Sequence, residues 1–343
     1  MPAGRHRRRW LRRAGGGAFS LLLCHCSRDA PSPPRAPAAP AAPAAARETD
    51  GLGLIADVAA DGEGRLFLLD AAHKQVVVIE RDGAQRRLGA PGRGPGELLD
   101  PVGLAVYGGR PYVVDRGNQR IQSYAPVVSV PVDFVPEDAC FAPDGRLFVL
   151  GAREQYLLHE VSLAERRVIR SILHSPASYD ELMRPYHASG FLHCGAGAGL
   201  TVLPLLRPEI LRIPVGDGPV RRIRIPGFRE TRVRRLHAGA VVYEAPPGGR
   251  TDYASTLVPL DDGRLLVQIG PVAQGASAHE FESLRTFLLS ADGRRLQELS
   301  ASLPRIMLAE RDSVVAVHTH PVPAYERLPL SALGLGRAAA SPR

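Results

Sequence analysis

Three groups of residues carry types and spacings that could do chemistry. His318-Thr319-His320 sets two imidazoles two positions apart. On a strand, where side chains alternate, both would face one side and form half of a metal site. His187, His193, His237 and His279 are further candidates, but no third ligand is identifiable by spacing. No Gly-x-Ser-x-Gly, His-Glu-x-x-His or phosphate-binding loop occurs. No cofactor is therefore expected.

The second group is basic. Arg212, Arg221, Arg222, Arg224, Arg229, Arg232, Arg234 and Arg235 fall in one stretch, against Asp217 and Glu230. The alternation Arg222-Ile223-Arg224-Ile225 separates arginines from isoleucines across a strand. Arg221, Arg222, Arg224, Arg232 and Arg234 are candidates for a face that binds phosphate or carboxylate groups. The same pattern describes a solvated outer strand. Few aromatic residues interleave with these arginines, which argues against nucleic acid.

Asp115, Asn118 and Arg120 form the third group, around a Gly117-Asn118 turn. Asn tolerates the left-handed backbone of such a turn. Asp115 and Arg120 flank it and can tie strand ends, so the trio reads as construction rather than a reactive centre. Of the four cysteines, Cys24 and Cys26 lie near the N-terminus. Cys140 and Cys194 have no CxxC spacing and read as small buried hydrophobes; sequence alone does not decide whether they form a bridge.

The elements that must position these residues are short strands. Asp61-Gly62-Glu63-Gly64, Gly108-Gly109, Asp144-Gly145, Asp262-Gly263 and Asp292-Gly293 supply the positive φ of tight turns. Beside them lie apolar runs of strand length. No long window has a 3.6-residue apolar period; Ser178 to Met183 is the best helical stretch and is short. The run RPYVVD from Arg110 recurs as RLFLLD from Arg65, RLFVLG from Arg146 and RLLVQI from Arg264, with fainter echoes at Gly199 and Ser313. The spacing is about 36–65 residues, against the 40–50 of a propeller blade. In the first unit, Asp70, His73 and Gln75 stand where the second has Asp115, Asn118 and Arg120.

Gly-Pro-Gly-Glu-Leu from Gly94, the run Asp100 to Val106, and the run Tyr112 to Tyr124 together resemble an NHL repeat, one blade of a β-propeller. The resemblance is strong in that unit, weaker in its neighbours and faint beyond about residue 175. It implies an all-β, six-bladed β-propeller of four-stranded antiparallel blades. Related propellers include lyases and lactonases that use histidines and acids at the channel mouth, often around a metal. The primary expectation is a non-catalytic binding or scaffold propeller recognising a protein, glycan or small ligand. The alternatives are a metal-dependent lyase or hydrolase with its site in the central channel, and an anionic-polymer binder using the arginine face. Residues 48–53 are expected to supply the fourth strand of the last blade, leaving no open edge. A monomer is expected.

The start of the chain reads as an exported leader. Arg5 to Arg13 is strongly positive, and a short apolar stretch from Ala18 to Cys24 follows. Leu21-Leu22-Leu23-Cys24 resembles a lipobox, making Cys24 a lipidation candidate and a membrane tether possible. The expected organisation is a leader at 1–26, an Ala/Pro-rich disordered linker at 27–47, the propeller at 48–330 and a disordered tail at 331–343. The location is then periplasmic or membrane-anchored, or cytoplasmic if the start codon is mis-assigned. The formal charge is +8, and Lys74 is the single lysine among 43 basic residues.

Overall fold

The computed structural model describes residues 47–48, 51–177, 183–195, 199–214, 216, 218–235, 241–244, 250–272, 281, 283–319 and 322–335. The expected leader with Cys24, and all of the linker except Arg47, lie outside them. So do His237, His279 and His320.

Strand β1 (Arg47–Glu48) precedes blade 1, which holds β2 (Ile55–Ala60), β3 (Leu66–Asp70), β4 (Gln75–Ile79) and β5 (Gln85–Leu88). Blade 2 holds β6 (Pro101–Tyr107), β7 (Arg110–Asp115), β8 (Arg120–Ser123) and β9 (Val128–Pro131). Blade 3 holds β10 (Val135–Phe141), β11 (Leu147–Arg153), β12 (Tyr156–Ser162) and β13 (Arg167–His174). A short helix α1 (Arg184–Ala188) leads to blade 4, with β14 (Gly190–Gly195), β15 (Gly199–Pro204), β16 (Glu209–Ile213) and β17 (Arg221–Arg224). A separate hairpin, β18 (Arg232–Arg235) with β19 (Val241–Glu244), interrupts the series. Blade 5 holds β20 (Thr251–Pro259), β21 (Leu265–Val272), β22 (Arg285–Leu289) and β23 (Leu296–Glu298). Blade 6 holds β24 (Arg305–Ala309), β25 (Ser313–His318) and β26 (Ala324–Pro329), and β1 completes it. This is the expected six-bladed propeller. The six recurring runs are the second strands of the six blades.

Each blade is a sheet buried on both faces, so its central strands are continuous apolar runs rather than alternating ones. Every residue of β3, β4 and β21 is buried. The core is therefore distributed. Six apolar clusters sit one at each interface between neighbouring blades, including blade 6 against blade 1. Ile55, Leu68 and Val77 meet Val315, Val317 and Tyr325 at that last interface.

Two expectations are corrected. An N-terminal strand completes the last blade as expected, but its bounds are Arg47–Glu48, with Arg47 opposite Tyr325 and Glu48 opposite Ala324, rather than residues 48–53. Residues 51–54 turn into blade 1 because the buried Asp70 carboxylate accepts the backbone N–H groups of Gly53 and Leu54. Cys140 and Cys194 are not independent buried hydrophobes but a disulfide, with Cα atoms 5.7 Å apart. They lie on β10 and β14, adjacent inner strands of consecutive blades. Ordered chain also continues past residue 330: Leu330–Leu333 is a 3-10 turn, Leu335 is buried, and its carbonyl accepts from Arg264 Nη2 at 3.2 Å.

Candidate functional site

The first strand of each blade lies innermost. β2, β6, β10, β14, β20 and β24 touch one another in sequence, and β24 returns to β2, enclosing a central channel. Five of these strands carry a register shift against their neighbour; β14 runs without one. A bulge re-aims the side chains beside it. Asp57 follows the bulge of β2, and Asp138 follows that of β10. Asp57 accepts its neighbour's N–H at Val58 (2.8 Å) and Leu104 N–H of blade 2 (2.7 Å). Asp138 repeats this arrangement with Ala139 (2.8 Å) and Leu192 of blade 4 (2.6 Å). The two carboxylates flank Gly103 and Leu104 of β6, where a Cβ on Gly103 would stand 2.9 Å from Asp138 Oδ1. Burial pushes Asp57 up to about 6, despite its backbone hydrogen bonds and the Arg305 charge. Burial also pushes Asp138 upward, and the nearby Asp57 charge adds to this.

At the end of the channel where inner strands begin lies a cavity of about 410 Å³, with contributions from all six blades. Leu54, Ala56, Ala71 and Ala72 come from blade 1 and the loops beside it, and Asp100, Pro101, Val102 and Arg116 from blade 2. Glu137 comes from blade 3, Gly190, Phe191 and Leu205 from blade 4, Ala254 from blade 5 and Arg305 from blade 6. Lys74 and Ser189 complete the lining. Ten of the sixteen lining residues are apolar or glycine, and five, Lys74, Asp100, Arg116, Glu137 and Arg305, are charged, a mixture of apolar wall and placed charge found in ligand clefts.

The charges there are largely matched. Arg116 Nε donates to Asp100 at 2.7 Å, and Arg116 Nη1 to Glu137 at 3.3 Å. Burial raises the Glu137 carboxyl, while Arg116 and a Ser189 hydrogen bond pull it back. Arg305 is buried, donates Nη2 to the Ser255 carbonyl at 3.4 Å and faces the Asp57 charge. Burial draws Arg305 down to about 10, which leaves it cationic at neutral pH.

The residues singled out by sequence lie elsewhere. Asp115 is wholly buried and accepts Leu99 N–H and Asp100 N–H at 3.1 Å, Asn118 Nδ2 at 2.6 Å and Arg120 Nε at 3.3 Å. Asn118 and Arg120 then hold carbonyls of the 92–97 loop. In blade 1, Asp70 does the same with Gly53, Leu54, His73 and Gln75. The trio is a loop clamp repeated between blades.

The arginines are divided between two sheets. Arg221, Arg222 and Arg224 lie exposed on β17, the outer strand of blade 4, whereas Arg232 and Arg234 lie on β18 of the hairpin. Arg222 pairs with Glu209 at 2.8 Å. His318 ends β25, a second strand rather than a channel strand, and its Nε2 lies 2.8 Å from Glu326. His187 is on α1 and His193 on β14; burial draws both down to about 4, with Arg207 and Arg212 adding to it. Among the described residues, no group of three or more His, Cys, Asp or Glu side chains could hold a metal ion. Nor does any helix among them have the length and apolarity to cross a membrane.

Sequence reasoning missed Asp57, Asp138, Arg116, Glu137 and Arg305. The available signal was an acid inside an otherwise apolar strand, as in Ile55-Ala56-Asp57-Val58. Lys74 carried a plainer signal, as the single lysine of an arginine-rich chain.

No family model matches the chain, and no curated protein matches it. Solved structures do. A candidate exported protein from Bacteroides fragilis aligns at 14% identity and TM-score 0.52, over 79% of this chain and 82% of that one. A catalytically inactive virginiamycin B lyase from Staphylococcus aureus, solved with quinupristin, aligns at 12% identity and TM-score 0.50, over 82% and 95%. A DUF4221 member from Bacteroides vulgatus aligns at 11% identity and TM-score 0.50, over 81% and 93%. At such identities these likenesses establish the fold alone: the chain shares the architecture of six-bladed β-propellers.

Proposed function

We propose that the protein is a non-catalytic recognition propeller whose small-molecule ligand seats in the cavity at the channel mouth. One observation carries the reading: all six blades contribute to a single cleft in which apolar walls stand beside a small set of charged side chains. The Asp100 and Glu137 carboxylates are held by Arg116, which suits shaping a pocket rather than proton transfer. The expected loop clamps and the distributed core make the ring a rigid frame for such a pocket.

Export is part of the proposal. A disulfide persists in oxidising compartments and is rare in the cytosol, and Cys140–Cys194 fits the exported leader read from Arg5 to Cys24. A tether through Cys24 would hold the propeller at the cell envelope.

Ala72 is exposed on the rim of the cavity, so Ala72→Trp should cover the mouth without disturbing the core. The full chain, incubated with a small-molecule extract of its own cells and examined by native mass spectrometry, should retain a ligand that Ala72→Trp does not. Retention of the same ligand by both proteins, with equal melting temperatures, would place binding elsewhere. The metal-dependent alternative predicts stoichiometric metal in the purified protein, lost in His318→Ala; the recognition reading predicts none.

A further inference from the structure

We propose that the channel-mouth cavity binds an organic anion bearing one carboxylate on a small apolar body, with Lys74 as its counter-ion. This rests on the reading of that cavity as the ligand site. Lys74 occupies the turn between β3 and β4 with φ 56°, is half-buried and lines the cavity. The turn itself is a repeat feature. Gln119 in blade 2 takes the same left-handed position, with φ 50°, directly before its third strand. Blade 1 has a cation there, where blade 2 has a neutral amide.

The other cations of the cavity have protein carboxylates close by. Arg116 is held by Asp100 and Glu137, and Arg305 faces Asp57. Lys74 makes no ion pair with any described residue. A lysine that lines the cavity beside Leu54, Ala71 and Ala72 gains by meeting an anion there. The ligand that meets it must also cover apolar wall, because Ala56, Val102 and Phe191 line the same space. Asp100 and Glu137 repel a second negative charge, which favours one carboxylate over a phosphate or a dicarboxylate.

The residue type is informative because every other one of the 43 basic residues is arginine. Lysine is a point charge on a slim stem, whereas arginine's planar fork needs more room and pairs best with two oxygens at once. In a cleft of about 410 Å³, the slimmer cation leaves space for the ligand body.

A single lysine makes the test direct. Reductive ¹³C-methylation of the full chain labels only Lys74 and the terminal amine, and the label keeps its charge. Hexanoate, titrated with hexanamide as the neutral isostere, should move the Lys74 resonance saturably and bind about tenfold more tightly than the amide. A factor of that size is expected of one charge-assisted hydrogen bond. On unlabelled protein, hexanoate should raise the melting temperature of the wild type but not of Lys74→Gln. That variant should fold normally, since glutamine already stands at this turn position in blade 2. Lys74→Arg separates charge from shape and should retain only part of the hexanoate response. Equal binding of hexanoate and hexanamide, or an unchanged hexanoate response in Lys74→Gln, would overturn the carboxylate assignment while leaving the cavity as the ligand site. No response to either probe would also overturn it, and the extract-capture experiment with Ala72→Trp would then judge the cavity separately.

Discussion

Single side chains in this protein divide sharply between those that build and those that are left over. Asp115 accepts four hydrogen bonds while wholly buried. Asp115→Ala would strand those donors, and a loss of about 3 kcal/mol or more in urea unfolding is expected; a loss under about 1 kcal/mol would mean that water replaces the carboxylate. His159 is equally buried. The Gly151 carbonyl, 3.0 Å from Nε2, can only accept, so Nε2 carries the proton and Nδ1 accepts from Ser171 Oγ at 3.0 Å. Burial draws the imidazole from 6.5 to about 4. Above pH 6.5 both folded and unfolded states hold it neutral. Below that the unfolded state takes up the proton first, so stability falls as pH drops from 6.5 towards 4. The margin of wild type over His159→Gln should therefore shrink by about 3 kcal/mol across that window. The raised carboxyls of Asp57 and Asp138 act in the opposite sense, but they are common to both proteins and cancel in the difference. A margin independent of pH would refute the assignment.

At the level of elements, turn chemistry was legible and pairing across blades was not. Asp-Gly turns are local, so the recurrence of RPYVVD-like runs located all six second strands. The departure at Gly151, where two other blades have aspartate, became intelligible only with the neighbours in place. A Cβ there would lie 2.5 Å from both the Phe134 ring and the Val135 carbonyl. The Asp57–Leu104 and Asp138–Leu192 links join residues 47 and 54 positions apart, a distance that no local pattern encodes. Gly103 is the test of that inner ring. Gly103→Ala should cost about 1–3 kcal/mol by crowding Asp138, measured by chemical unfolding; no loss would show that the carboxylate has room to move aside. The arginine stretch was legible as an alternating strand. That it would be shared between an outer blade strand and a separate hairpin was not, because the break at Pro226-Gly227 carries no mark of which sheet follows.

The whole molecule is a ring, and its stability is a property of closure. Six interfaces bury the core, and two devices guard the ring: β1 on blade 6, and the Cys140–Cys194 bridge between blades 3 and 4. Deletion of residues 47–54 removes β1, buried Leu52 and the N–H groups that Asp70 holds. A sharply lower melting temperature is expected, and an unchanged one would sink the closure argument. The bridge spans 54 residues, so reduction or Cys140→Ser with Cys194→Ser should cost up to about 4 kcal/mol. Peptide mapping without reductant, on protein isolated from its own cells, should recover the linked peptides; free thiols there would contradict export.

The central claim is that the ligand occupies the channel mouth, and the single lysine reports on that place alone. Full-length protein treated with an amine-acetylating reagent, with and without a small-molecule extract of its own cells, should show slower acetylation of Lys74 in the extract while the terminal amine reacts at an unchanged rate. An unchanged Lys74 rate under conditions where native mass spectrometry detects bound ligand would contradict the account.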